Sequence, residues 1–287
     1  MSLPATETPL GAMRFNSDSQ KLEYFNGEIW LQIHTFNSDL DGGARGIWAG
    51  GSNPACDVIE YVTIPTAGNG TDFGNLASSV KYVSGGSSNT RGVTVGGEEG
   101  STTDRIQYVT ISITGNATDF GDLTESLTYI SACSNQTRLV TGGGKDTPGN
   151  NNVNTMDFVT IATIGNAQDF GDLTRCIGFN SAQCGSTTRG IVWGGYSPEG
   201  DNIEYFTFAT KGNTVQFGDS TIDLNYRNCT SDCVRGLAGG GQDGPGNRNT
   251  IEYIQIATQG NAVDFGDLTT DGHHAAAAFS NAHGGLG

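Results

Sequence analysis

Gly115-Asn116-Ala117-Thr118-Asp119-Phe120-Gly121-Asp122-Leu123 decides the architecture of this chain, because it is one of five versions of the same phrase. Gly68-Asn69 leads to Asp72-Phe73-Gly74, Gly165-Asn166 to Asp169-Phe170-Gly171, and Gly260-Asn261 to Asp264-Phe265-Gly266. The remaining copy, Gly212-Asn213 with Gln216-Phe217-Gly218, departs only at the acid. The five phenylalanines recur every 47 to 50 residues, a period that suits one small antiparallel sheet per repeat.

Working outward from the phrase, each repeat carries four strand signals. An arginine opens a segment that ends in a glycine doublet: Arg45 to Gly51, Arg91 to Gly97, Arg138 to Gly144, Arg189 to Gly195 and Arg235 to Gly241. An alternating segment follows, as in Ile59-Glu60-Tyr61-Val62-Thr63-Ile64, and its period of two predicts a strand with one buried face. A short strand forms around Asp-Phe-Gly, and a last stretch such as Leu127 to Ser134 runs up to the next arginine. No segment has a helical period. The fold class is therefore all-β, with residues 44–287 expected to form a five-bladed β-propeller of four-stranded blades. The first repeat begins at its arginine strand, and His273 to Gly284, with Ser280-Asn281, resembles the missing strand. The ring is thus expected to close by pairing of this C-terminal strand into the first blade, which removes exposed sheet edges.

Composition bounds the function. Formal charge is −16 with 14 lysines and arginines, so no basic surface is predicted and nucleic acid is excluded as a partner. No signal peptide opens the sequence and no apolar run reaches the roughly 20 residues that span a bilayer, so a soluble chain without membrane insertion is expected. The six cysteines do not recur as a disulfide framework and read as free buried thiols. Cys229-x-x-x-Cys233 lacks a second ligand pair, and adjacent His273 and His274 would point to opposite sides of a strand, so no metal and no cofactor are predicted. Catalysis is not expected either, because Glu98, Glu99, Asp146, Glu199 and Asp243 lie on different loops and nothing in the sequence brings two of them together.

Residues 1–43 stand apart. Asn26-Gly27 between apolar stretches signals a β-hairpin, too small to be stable alone, so Phe15, Tyr24, Phe25 and Trp30 are candidate assembly residues. In the repeats, antiparallel strands put successive connections on opposite faces. The Gly-Asn turns share one face, and the connections that differ most share the other: Ser52 to Asp57, Glu98 to Asp104, Lys145 to Asn154, Tyr196 to Asn202 and Gln242 to Asn249. Variable loops on a rigid scaffold are where binding concentrates, which makes Asn150, Asn151, Asn152, Tyr196, Gln242 and Asn247 candidate ligand contacts. The repeat arginines are assigned a structural role between blades. Arg45, Arg91, Arg138, Arg189 and Arg235 are expected to pair with the phrase acids Asp72, Asp119, Asp169 and Asp264, and Gln216 is the test of that pairing.

Two resemblances add to this reading. Gly11-x-x-Arg14-Phe15-Asn16, with Leu22-Glu23-Tyr24-Phe25-Asn26-Gly27 and Trp30, resembles a short module of tail-fibre and other appendage proteins of tailed bacteriophages. The repeats resemble kelch-like propeller repeats of phage structural proteins, although the spaced Tyr and Trp of cellular kelch repeats are missing. The resemblance implies a non-enzymatic virion structural protein, a fibre, appendage or decoration component. Its implied partners are other virion proteins, possible host-surface glycans, and further copies of itself through the N-terminal segment. A free soluble carbohydrate-binding lectin is the alternative reading.

Overall fold

In the structure, a computed structural model, residues 8–16, 21–32, 45–52, 54–64, 66–147, 150–178, 182–195, 200–232, 234–244 and 246–271 are described. The chain forms two compact units, Met1–Asp41 and Gly42–Gly287. All regular secondary structure among the described residues is β.

The first unit contains β1 (Met13–Asn16), β2 (Lys21–Phe25) and β3 (Trp30–Gln32) in one antiparallel sheet. The Asn-Gly signal does produce a reversal, at 26–29. The Asn26 side-chain oxygen accepts the N–H groups of Glu28 and Ile29 at 3.0 and 2.8 Å, and Gly27 takes a φ of 103°. The element is a three-stranded sheet and not a lone hairpin, because β1 pairs in register along β2, with Met13 opposite Tyr24 and Phe15 opposite Leu22.

The second unit is built of five successive sheets, one per repeat. The first holds β4 (Arg45–Ala49), β5 (Cys56–Thr63) and β6 (Thr71–Val80). Next come β7 (Ser84–Ser87), β8 (Arg91–Val95), β9 (Thr103–Thr110) and β10 (Thr118–Thr128). The third repeat supplies β11 (Ser131–Ser134), β12 (Arg138–Gly142), the two-residue β13 (Lys145–Asp146), β14 (Thr155–Thr160) and β15 (Gln168–Asp172). The fourth has β16 (Ala182–Gly185), β17 (Arg189–Trp193), β18 (Asn202–Thr207) and β19 (Val215–Asp219). The fifth has β20 (Asn228–Ser231), β21 (Arg235–Gly239), the ribbon β22 (Gln242–Asp243) with β23 (Gly246–Asn247), then β24 (Thr250–Gln255) and β25 (Val263–Asp267). Strands pair antiparallel in chain order, except that β13 joins the end of β10 in the preceding sheet. The C-terminal strand expected at 273–284 lies outside the described residues, and β4 is an edge of its sheet among those that are described.

Apolar cores lie between consecutive sheets. One joins Phe120, Leu123 and Val95 to Leu139 and Ile161 of the next repeat, and another joins Phe170 and Met156 to Val192 and Phe208. This corrects the expectation of one buried face per middle strand. In β14 the consecutive residues Met156, Asp157, Phe158 and Val159 are all buried, because a neighbouring sheet covers each face. The alternation holds in β5, where Ile59 is buried and Glu60 exposed.

The repeated phrase turns out to be the joint between sheets. In every copy the phenylalanine is skipped by its own ladder: Gly121 faces Ile106 and Asp119 faces Gln107, leaving Phe120 as a β-bulge residue. A buried unpaired carbonyl is costly, and the next repeat relieves it. Gly165 donates its N–H to the Phe120 carbonyl at 2.9 Å, and Ala167 donates to that of Asp122 at 2.8 Å. The Asn166 side chain accepts the Asp122 N–H at 3.2 Å. The same three bonds join Gly115, Asn116 and Ala117 to Phe73 and Asn75, Gly212 to Thr214 to Phe170 and Asp172, and Gly260 to Ala262 to Phe217 and Asp219. The approach is so close that a Cβ on Gly121 would stand 2.6 Å from the Gly165 carbonyl, and the residue has a φ of 144°. This is why the phrase needs its second glycine.

Candidate functional site: the loop-side tyrosine cluster

Antiparallel pairing places the Gly-Asn turns and the turns before each arginine at one end of the sheets. The opposite end carries the variable connections, together with the links from one sheet to the next. At this second end a regular device appears. Lys81 bridges Glu98, Thr128 pairs with Lys145, and Asn225 bridges Gln242, so the starts of three variable connections are fastened to the links that precede them. The residue after each fastened position is a tyrosine: Tyr82, Tyr129 and Tyr226.

All three tyrosines occupy the left-handed region, with φ of 57°, 55° and 55°. A bulky side chain there is a steric outlier that costs of order 1–3 kcal/mol. Glycine would remove that cost, and in a chain with 44 glycines it does so at most other left-handed positions. Tyrosine nevertheless occupies three equivalent places. Tyr82 and Tyr129 stack with centroids 4.3 Å apart, and burial, followed by a hydrogen bond with Tyr82, pushes the Tyr129 hydroxyl well above its usual range. Tyr226 also acts on Tyr129 electrostatically. Lys81 lies over the Tyr82 ring at 5.2 Å while its ammonium holds Glu98 at 2.8 Å. The result is a partly exposed aromatic surface flanked by charge.

The candidate contacts read from the sequence distribute around this surface. Asn150 and Asn151 are exposed but locally engaged: Lys145 Nζ donates to the Asn150 side chain at 3.2 Å, and Asp146 accepts the Asn151 N–H at 2.6 Å. Asn152 bridges Lys145 across the same loop. Gln242 and Asn247 face each other in the β22–β23 ribbon of another sheet. Tyr196 lies outside the described residues. The loop acids are similarly committed, Glu99 to Arg105 at 2.9 Å and Asp243 to Arg248 at 2.5 Å, and Glu199 is outside the described residues. No group of three metal-binding side chains occurs among the described residues.

At the uniform end, the arginine pairing needs correction. Asp72, Asp119, Asp169 and Asp264 are exposed, and no ion pair joins them to a repeat arginine among the described residues. Each arginine instead lies over the aromatic residue of the adjoining strand in its own sheet. Arg45 covers Tyr61, Arg91 Tyr108, Arg138 Phe158, Arg189 Tyr205 and Arg235 Tyr253, at 4.7 to 4.9 Å. That ring in turn meets the phrase phenylalanine edge-on, as Tyr108 does Phe120 at 5.9 Å. The guanidinium then donates to a carbonyl of the next repeat: Arg45 to Ile111 at 2.8 Å, Arg91 to Ile161 at 2.9 Å, Arg138 to Phe208, and Arg189 to Ile256 at 2.9 Å. A carbonyl is indifferent to the phrase acid, which explains why Gln216 is tolerated; its amide simply donates to Asp219 at 2.7 Å.

A further joint was hidden in the alternating strands. The polar residue at their second position reaches back to the preceding repeat, Gln107 to the Ala77 N–H at 2.8 Å, Asp157 to Thr124 at 2.8 Å, Glu204 to Thr174 at 3.0 Å and Glu252 to Thr221 at 2.6 Å. Burial raises the Asp157 carboxyl above its ordinary range, against the opposing pull of the Thr124 donors. Glu252 also holds the buried Arg227 at 2.5 Å. Cys133 and Cys184 are buried thiols in β11 and β16, with Cys133 raised by desolvation, but Cys176 is exposed and corrects the reading of all cysteines as buried.

In the first unit the four candidate assembly aromatics divide between two faces. Phe25 packs on Trp30 at 5.4 Å, and Arg14 lies over Trp30 at 4.2 Å while holding Glu23 at 2.8 Å. Phe15 and Tyr24, 65% and 39% exposed, share the other face with Met13 and Leu22. No protein-family model matches the chain, and no curated protein matches it.

Proposed function

We propose that the five sheets are the blades of a closed β-propeller that serves as a non-enzymatic structural component of a tailed-phage virion and recognises host-surface glycans with its loop side. The observation that carries the recognition step is the set of three left-handed tyrosines. Retained backbone strain clusters at active sites and ligand clamps, and a tyrosine face with nearby amides and charges suits a sugar, which offers a C–H face and hydroxyls. The ring reading is supported by the position of β4, which is an edge of its sheet among the described residues. A cavity of about 400 Å³ lies between this strand and the second sheet, lined by Ile47, Trp48, Val83, Ser84 and Gly86. The virion assignment rests on the resemblance of the N-terminal module, whose exposed Met13, Phe15, Leu22 and Tyr24 form a face for a further copy or another virion protein.

The test uses immobilised bacterial-surface polysaccharides probed with the purified chain and with Tyr129→Gly. Binding by the wild type that the variant loses supports the reading, and binding that the variant keeps, or none at all, contradicts the glycan assignment. Light scattering on the intact chain and on a chain beginning at Asp39 tests assembly. A defined oligomer that becomes a folded monomer supports the virion component, whereas two glycan-binding monomers favour the free lectin.

A further inference from the structure

Among the described residues, the first and last repeats each lack half of every joint found between neighbours, and the missing halves are complementary. At the fifth repeat the bulge is formed, with Gly266 facing Ile251 and Asp264 facing Glu252, yet nothing stands within 4 Å of a Cβ placed on Gly266. Phe265 is 52% exposed, against 1% for Phe120. Arg235 lies exposed over Tyr253, with no carbonyl of another repeat joined to its guanidinium among the described residues. At the first repeat Gly68-Asn69-Gly70 is exposed, as is Glu60, whose four counterparts in later repeats are all buried. Ile64 is 63% exposed, against 0% for Ile161 and 1% for Ile256 at the same place.

We infer that these two surfaces are each other's partner within one chain, and that a fifth joint forms by the same bonds as the other four. Gly68 donates to the Phe265 carbonyl and Gly70 to that of Asp267, and the Asn69 side chain accepts the Asp267 N–H. Glu60 accepts from Thr269, and the Arg235 guanidinium donates to the Ile64 carbonyl. Each assignment is the one-repeat translation of a bond already formed four times, that of Arg235 by Arg45, Arg91, Arg138 and Arg189. The Thr269 hydroxyl repeats the role of Thr124, Thr174 and Thr221, which all donate to the acid of the following repeat. Two complementary surfaces on one molecule either close on themselves or add copies head to tail into a fibre. Closure is favoured because tethering the surfaces in one chain raises their mutual effective concentration to the millimolar range or above. The inference rests on the closed ring proposed above, and it specifies the contacts that seal the ring at its outer strands.

The experiment is residue-resolved amide hydrogen exchange on the full chain at low concentration, with a dilution series. Asp267 and Thr269 are expected to exchange about 100-fold or more slowly than an open peptide, alongside their counterparts Asn75 and Thr124. Exchange of Asp267 and Thr269 at the open-peptide rate overturns the inference. In that event, protection along the free edge of β4 still upholds the ring, so the two failures are separable. Protection that vanishes on dilution means that a second copy supplies the partner, and this too overturns it. A variant pair gives an independent reading. Gly121 and Gly266 have nearly the same φ, 144° and 137°, so Gly266→Ala matches the loss of thermal stability of Gly121→Ala only if Gly68 stands against it. A much smaller loss in Gly266→Ala contradicts closure.

Discussion

The two ends of the sheets solve opposite problems with the same strands. At the uniform end, Gly165, Asn166 and Ala167 meet Phe120 and Asp122 through three backbone-directed bonds, and three other pairs of repeats reproduce them nearly unchanged. At the loop end, a fastened residue precedes a strained tyrosine at three of the links, and beyond that point no two connections share a sequence. Identity is confined to where sheet must meet sheet, since one altered joint would change the angle of all that follow. Difference is confined to where nothing else in the fold depends on the residue. In such a chain sameness reports assembly of the scaffold, while the proposed recognition is assigned to the strained and variable end.

Substitutions at either end sharpen this contrast. The largest effect is expected from Gly121→Ala, which forces a Cβ against the Gly165 carbonyl at a φ that only glycine holds easily. Thermal or urea unfolding should show a loss of about 3 kcal/mol or more, with glycan binding per folded molecule unchanged. Arg138→Met comes next. It removes both the guanidinium that lies over Phe158 and its bond to the Phe208 carbonyl, so a loss of about 1–3 kcal/mol is expected in the same measurement. At the loop end, Tyr129→Gly should abolish glycan binding while leaving stability within about 1 kcal/mol of the wild type, because relieved strain offsets the lost stacking on Tyr82.

The smallest effect concerns pH. Burial raises the folded Asp157 pKa, so in the window from its unfolded pKa up to that raised value the folded state holds more protons, and stability falls as pH rises. Asp157→Asn should remove this decline and leave unfolding at pH 4 almost unaltered, since Gln107 performs the same task as a neutral amide. An unchanged slope between pH 4 and 7 would show that another group carries it.

Much of the scaffold was legible because it is written five times. The arginine strand, the alternating strand and the Asp-Phe-Gly strand are found where the periodicity puts them, and the Gly-Asn turn follows from the same alignment. What escaped has a physical cause in each case. The acceptors of the arginines are backbone carbonyls, which leave no mark in sequence, so the nearby acids were the natural but mistaken partners. The buried roles of Asp157, Glu204 and Glu252 depend on threonines about one sheet upstream, whereas alternation within a strand predicts exposure. The tyrosines did leave a signal: Tyr82, Tyr129 and Tyr226 each follow a phrase phenylalanine at a fixed interval, with Phe179 and His274 at the equivalent places. That signal concerns spacing alone, and only the positive φ gives it meaning.

The most direct measurement is polysaccharide binding and unfolding recorded on the same two samples, Tyr129→Gly and Gly121→Ala. The account predicts a crossed result, in which the tyrosine variant loses binding with its stability kept and the glycine variant loses stability with its binding kept. Loss of both properties in both variants, or binding retained by Tyr129→Gly, would contradict the division of labour between the two ends.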